Sequence, residues 1–262
     1  WGKLLYVRMV RGKDDSIYTR LAERYNRLRS LELESSSSFQ YPSLPVEQIV
    51  RNVEDARRST FVIEWKGDYR APDATTTEMV GGQGTAFAYG RPAQLISCNH
   101  VLLCTVQIAG ATVTIDYQSQ GITNLTLEAI NPSSNTTWPL KIVRRDPNRD
   151  LAVLEIVGEP RHRYFVGLDA PLHVNEGGYL VGYPNWTPGR SANQDQATIQ
   201  NQFPRSGLDR FEISTLIRQG HSGGPFVGKQ FQLAGVAQQG ATQEGGNNEC
   251  LCVMELNDWL TT

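Results

Sequence analysis

No part of the 262-residue sequence approaches 18 consecutive apolar residues, so nothing in it reads as a membrane-spanning helix. A charge excess of one sign is also lacking. The 25 Lys and Arg stand against 27 Asp and Glu, a net charge of −2, which removes the electrostatic case for nucleic acid. The start shows no cationic segment followed by an apolar stretch, so no secretory signal is legible. The first residue is Trp1 rather than Met, which leaves that absence without weight. Cysteine is scarce, with Cys98, Cys104, Cys250 and Cys252 alone. Their spacings are atypical of a zinc site. Cys250 and Cys252 stand two apart on an expected strand and share one face, an awkward arrangement for a disulfide. The expectation is free, mostly buried thiols in a cytoplasmic protein with no metal and no cofactor.

Glycine and proline are plentiful, at 24 and 13 residues. They punctuate short runs of Val, Ile, Thr and Leu, a pattern that predicts an all-β chain. The N-terminal part differs. Ile17, Leu21, Tyr25, Leu28 and Leu31 recur at helical spacing and predict a helix over 15–33. The Ser-rich run 35–38 then reads as a flexible linker. A second, short helix is expected around Val46 to Arg58, with Val46, Ile49, Val50 and Val53 on its apolar face, and a first strand at Thr60 to Trp65. The domains expected are a helical extension with linker over 1–44 and one domain over 45–262. The helix at 15–33 packs on that domain or joins a regulatory or upstream protein partner.

The most informative residues are Gly220-His221-Ser222-Gly223-Gly224-Pro225. They read as a strained turn presenting one hydroxyl. A serine is a poor nucleophile unless a neighbouring base takes its proton, so the turn gains meaning from two upstream segments. One is an apolar run from Gln94 that ends at His100; the other is Asp150 opening the alternating strand Leu151–Ile156. A lone His after an apolar run is usually a core histidine, and an Asp before a strand is usually a turn residue. Their conjunction with the serine turn, in the order His, Asp, Ser, is the order of chymotrypsin-type proteases. Ser222 Oγ would attack a carbonyl, His100 would carry the proton, and Asp150 would orient the imidazole. The backbone N–H groups of Gly220 and Ser222 would form the oxyanion hole. Asp146 competes with Asp150 but precedes Pro147 in an expected turn, and Asp116 has no such context.

Four stretches resemble the trypsin-like serine peptidases, most nearly the HtrA/Deg branch: Gly82–Phe87, Ser97–Val101, Asp150–Leu154 and Gly220–Pro225. Val174–Pro184 is similar to that branch's first strand of the second barrel. The resemblance spans roughly residues 45 to 260. It implies two six-stranded antiparallel β-barrels, roughly 59–158 and 172–256, with the active site between them. By family position it places the floor of a specificity pocket at Leu216. It places one wall, which also pairs with the substrate backbone, at Gln238, Gln239 and Gly240, with Gly240 leaving the entrance open. An apolar floor implies an apolar residue before the cut. Two departures matter. His221 stands where relatives carry Asp or Asn, and no PDZ-like domain is expected to follow. The expected function is a serine endopeptidase acting on a polypeptide, regulated by partner or substrate. The alternative is a catalytically silent peptidase-fold binding module.

Overall fold

Fourteen strands and two helices make up the described residues, 48–71, 76–108, 110–240 and 247–262, of the computed structural model. The expected helix at 15–33 and the Ser-rich linker lie outside them. Twelve strands close into two antiparallel barrels, as the sequence led us to expect. The first runs in the order β1 (Thr60–Tyr69), β2 (Glu78–Ala88), β3 (Gln94–Ser97), β8 (Leu151–Ile156), β7 (Thr136–Asp146), β6 (Ile122–Asn131). The second runs β10 (Asn193–Arg205), β11 (Leu208–Ile213), β14 (Glu249–Cys252), β13 (Leu233–Gln239), β12 (Pro225–Gly228), β9 (Gly177–Gly182). The remaining pair, β4 (Leu103–Ile108) and β5 (Ala111–Asp116), forms a separate hairpin.

Closure explains the composition. A barrel has no free edges, and its inward positions must be filled by β-branched and aromatic side chains. Phe61, Ile63, Trp65, Phe87, Leu95 and Leu151 are fully buried in the first barrel. Truncating a buried aromatic there would cost about 3–5 kcal/mol. Trp65 also donates its indole N–H to the Val101 carbonyl at 2.9 Å, fixing the turn that carries His100. The barrels are joined by polar contacts as well. Tyr183, which follows β9, donates its hydroxyl to the Thr60 carbonyl at 3.1 Å. Helix α2 (Val253–Thr261) buries Val253, Leu256 and Trp259, and Arg144 of β7 donates to the Trp259 carbonyl at 2.8 Å while lying 4.7 Å above its ring.

The helix expected from Val46 is shorter. Helix α1 spans Val53–Arg58, and the Asn52 side chain caps it by accepting the Asp55 N–H at 2.9 Å. Upstream, Ile49 makes a parallel bridge with Tyr164, and the Val50 N–H donates to the Tyr164 carbonyl at 3.0 Å. Val50 is buried through that extended pairing, not on a helix face. Val53, on the helix itself, is 36 % exposed; an extended pairing covers Ile49 and Val50 as well as a helix face would, which is why their spacing misled. Among the described residues no helix is long and apolar enough to cross a membrane. The four cysteines are free thiols, Cys98, Cys250 and Cys252 buried and Cys104 half-buried.

Candidate active site

His100 sits in a single 3-10 turn, Asn99–Leu102, between β3 and β4. Arg145 of β7 braces this turn. Its Nε donates to Asn99 Oδ1 at 2.7 Å, and its Nη atoms grip the Asp116 carboxylate at 2.8 and 2.6 Å. That fork holds the Asp116 carboxyl below the usual carboxylate range. Asp116 therefore has a structural partner. Asp146 also serves its turn, accepting the N–H groups of Asn148 and Arg149.

Asp150 stands just before β8 with φ 53°, a left-handed backbone rare outside glycine. Both carboxylate oxygens serve His100. Oδ2 lies 2.6 Å from the ring Nδ1, and Oδ1 accepts the His100 backbone N–H at 2.9 Å. A carboxylate held at two points by one residue leaves the imidazole little freedom to turn.

Ser222 lies across the cleft on the loop leading into β12. Its carbonyl accepts the Thr85 N–H at 2.9 Å, and the following Gly223 N–H donates to the Ala237 carbonyl at 2.8 Å. His100, Gly220 and Ser222 line one cleft of about 740 Å³. The Gln219 carbonyl is held by the Asn185 N–H at 2.8 Å. In a trans peptide this turns the Gly220 N–H the opposite way, off Asn185. Among the described residues neither the Gly220 nor the Ser222 N–H has a hydrogen-bond partner. Gly220 has φ 93°, and a Cβ there would overlap the Tyr183 carbonyl oxygen, so only glycine fits.

His221 is fully buried, and its Nδ1 accepts the Arg218 N–H at 3.0 Å. The proton is therefore on Nε2, which faces Asp195 Oδ2 at 3.7 Å. Burial pulls the imidazole down to about 4, against the raising effect of Asp195 and with a further lowering from Arg218. Cys98 Sγ, His100 and Asp150 have ligand atoms within 4.8 Å of one another. Burial and the nearby Asp150 charge push the Cys98 thiol well up, and its Sγ contacts the Ala237 carbonyl at 3.3 Å as a donor. A protonated thiol is a poor metal ligand, so this trio reads as a packed thiol behind a hydrogen-bonded pair.

The expected specificity pocket needs correction. Leu216 is 43 % exposed and does not line the cleft, so it is not a buried floor. Gly240 does not hold an entrance open. A Cβ there would overlap the Ile217 carbonyl oxygen, so the two walls touch and glycine permits that contact. Gln238 is 6 % exposed and turns beneath Asp150, donating from Nε2 to the Arg149 and Asp150 carbonyls at 2.6 and 3.1 Å. Gln239 is exposed and does face a space of about 280 Å³ beside His100, where its Oε1 accepts from Arg205 at 3.2 Å. The cleft also opens along residues that motif reading missed: Met79 and Gly81 of β2, Leu103 and Cys104 of β4, and Trp186.

Residues 84–236 match the trypsin-like peptidase domain, more than half of the chain, and the protein belongs to that family. Solved structures share the fold. The Rv3671c protease of M. tuberculosis in its active form is 20 % identical with a TM-score of 0.56, covering 85 % of this chain and 92 % of that one. A serine endoprotease from Yersinia pestis is 16 % identical with a TM-score of 0.55, over 81 % and 66 % of the two chains. An HtrA-type protease, AlgW with tripeptide, is 16 % identical with a TM-score of 0.57, over 80 % of this chain and 61 % of that one. No curated protein matches the sequence.

Proposed function

We propose that the protein is a serine endopeptidase that cleaves polypeptides by acyl transfer, with Ser222 as nucleophile, His100 as general base and acid, and Asp150 as the group that orients His100. The observation that carries this reading is the double grip of Asp150 on His100, in a cleft shared with Ser222. The remaining steps follow from chemistry. His100 takes the Ser222 proton as Oγ attacks the scissile carbonyl. The Gly220 and Ser222 N–H groups stabilise the oxyanion, each worth roughly 100- to 1000-fold in rate. His100 then protonates the leaving amine, and water repeats the sequence to release the acid.

The substrate residue before the cut is apolar in this reading. Met79, Leu103 and Trp186 line the cleft that holds Ser222, and its one carboxylate, Glu64, is already paired with Lys66 at 2.7 Å, so burying an unpaired Lys or Arg head there would cost several kcal/mol. The segment 1–44 is read as the place where a regulatory or upstream partner engages. Incubation with a diverse peptide library, read by mass spectrometry with Ser222→Ala as control, tests the function. Cuts that vanish in the variant and follow apolar residues support it. A wild-type protein that binds peptides without cutting them is a silent binding module. A profile of cuts after Arg or Lys would remove the apolar assignment alone.

A further inference from the structure

The backbone of Asp150 is bent into the left-handed region, and that bend aims its carboxylate at His100. The bend is held from behind. Gln238 Nε2 carries two hydrogens, and both are used, toward the Arg149 carbonyl at 2.6 Å and the Asp150 carbonyl at 3.1 Å. The Asn99 N–H also reaches the Asp150 carbonyl at 3.2 Å. The other end of the amide is occupied too, because Gln238 Oε1 accepts from Arg210 Nη1 at 2.5 Å. A guanidinium can only donate. Reversing the amide would set an NH2 group against a cation and an oxygen against two carbonyls, so Arg210 dictates which way Gln238 faces.

Both side chains are buried where their types are rarely found, Gln238 at 6 % and Arg210 at 7 % exposure. Among the described residues the Arg210 Nε has no hydrogen-bond partner. Of the charged groups around it, Arg205 is paired with Glu249 at 2.7 Å, and Asp150 is engaged by His100. A buried arginine that spends its clearest hydrogen bond on a glutamine is a costly way to fill a barrel. Orienting that glutamine accounts for it.

We infer that Gln238, oriented by Arg210, is a positioning residue that locks the Asp150 turn and so aims the carboxylate at His100. This rests on the catalytic reading of His100, Asp150 and Ser222, and it moves Gln238 from the substrate wall to the support of the acid.

Three variants test it: Gln238→Met, which keeps length without donors; Gln238→Glu, which keeps the acceptor for Arg210 but not the two donors; and Gln238→Met with Arg210→Met, which removes the two donors without leaving a buried guanidinium that has lost its acceptor. Two measurements are made on each: kcat and KM on a cleaved peptide, and the low-field proton resonance of the His100–Asp150 hydrogen bond, which needs no turnover. Each variant should lower kcat by about 10- to 100-fold with KM within about twofold, the scale of a small misplacement of a catalytic group. Each should lose the resonance or exchange it rapidly with water. A folded double variant with wild-type kcat and an intact resonance overturns the inference. So does a double variant that cannot fold, because the pair would then be only structural. If the wild type shows the resonance but never cleaves, the peptidase reading fails, while the variants' resonances still decide the role of Gln238.

Discussion

The Thr85 hydroxyl, on β2 of the first barrel, donates a 2.6 Å hydrogen bond to the carbonyl of Gly220, in the Ser222 loop of the second. The same oxygen accepts the Tyr183 N–H at 3.0 Å. With its backbone N–H on the Ser222 carbonyl, Thr85 holds the loop at two points and ties it to the strand before Pro184. Thr85→Val keeps the branched shape but leaves a buried carbonyl and a buried N–H unpaired, at about 1–3 kcal/mol each. The expected result is a drop in Tm of about 5–10 °C with a lower kcat, while Thr85→Ser stays close to wild type. Thermal melts and turnover of both variants check this. A fully active, unchanged Thr85→Val protein would show that the loop is held elsewhere.

Removal of any one member of the proposed triad should disable the other two. Ser222→Ala and His100→Ala should lose similar amounts of kcat, and the double variant should be no worse than either, because groups that act together do not add. Asp150→Asn should lose roughly 10,000-fold by favouring the wrong imidazole tautomer. Strictly additive losses, measured by single-turnover hydrolysis of a peptide, would contradict a shared proton path.

Acid should weaken this fold through two histidines. His221 and His162 are each pulled down to about 4, first by burial. At His162 the Pro92 carbonyl works in the raising direction. Unfolded, both titrate near 6.5, so the folded chain binds fewer protons between those values. The stabilisation is complete above pH 6.5 and is lost as pH falls through about 4. For the fully buried His221 it is on the order of 3 kcal/mol. Protonation also removes the Nδ1 acceptor from the Arg218 N–H, so activity should fall over the same range. Tm measured from pH 7.5 to 4.5 should decline, and His162→Gln should flatten part of that slope with kcat at pH 7.5 unchanged. An equal slope in the variant would remove His162 from this account.

The residue before Ser222 predicts one route of activation that the proposed peptidase does not use. A carboxylate there could pair with an inserted α-ammonium, but His221 is neutral, buried and engaged by Arg218. The loop 217–220 has its own supports, including the Ile217 N–H on Asn248 Oδ1 at 2.8 Å. The uncut chain should react with a fluorophosphonate at once. Cutting within residues 40–60 and acetylating the new terminus should change little. A large gain on cutting that acetylation reverses would show that terminus insertion operates after all.

The barrels and the grouping of Asp150, His100 and Ser222 were legible because their signals are local. Glycines crowd the Ser222 turn, an apolar strand leads to His100, and alternation follows Asp150. What stayed hidden depends on contacts between distant segments. Thr85 looks like any strand threonine until β2 meets the loop at Gly220. Gln238 was assigned to the substrate wall because motif position gives the strand and not the direction of a long side chain, and its partner Arg210 lies 28 residues away. Leu216 was placed as a floor by counting back from Ser222, but a loop's depth is set by what packs on it, and here Ile217 takes the buried place at 3 % exposure.

The most direct test of the central claim is the site of covalent modification by a fluorophosphonate, located by peptide mapping of the uncut protein. The account predicts one adduct, on Ser222, absent from Ser222→Ala and strongly slowed in His100→Ala. An unmodified wild type, or an adduct that persists in the Ser222→Ala protein, would contradict it.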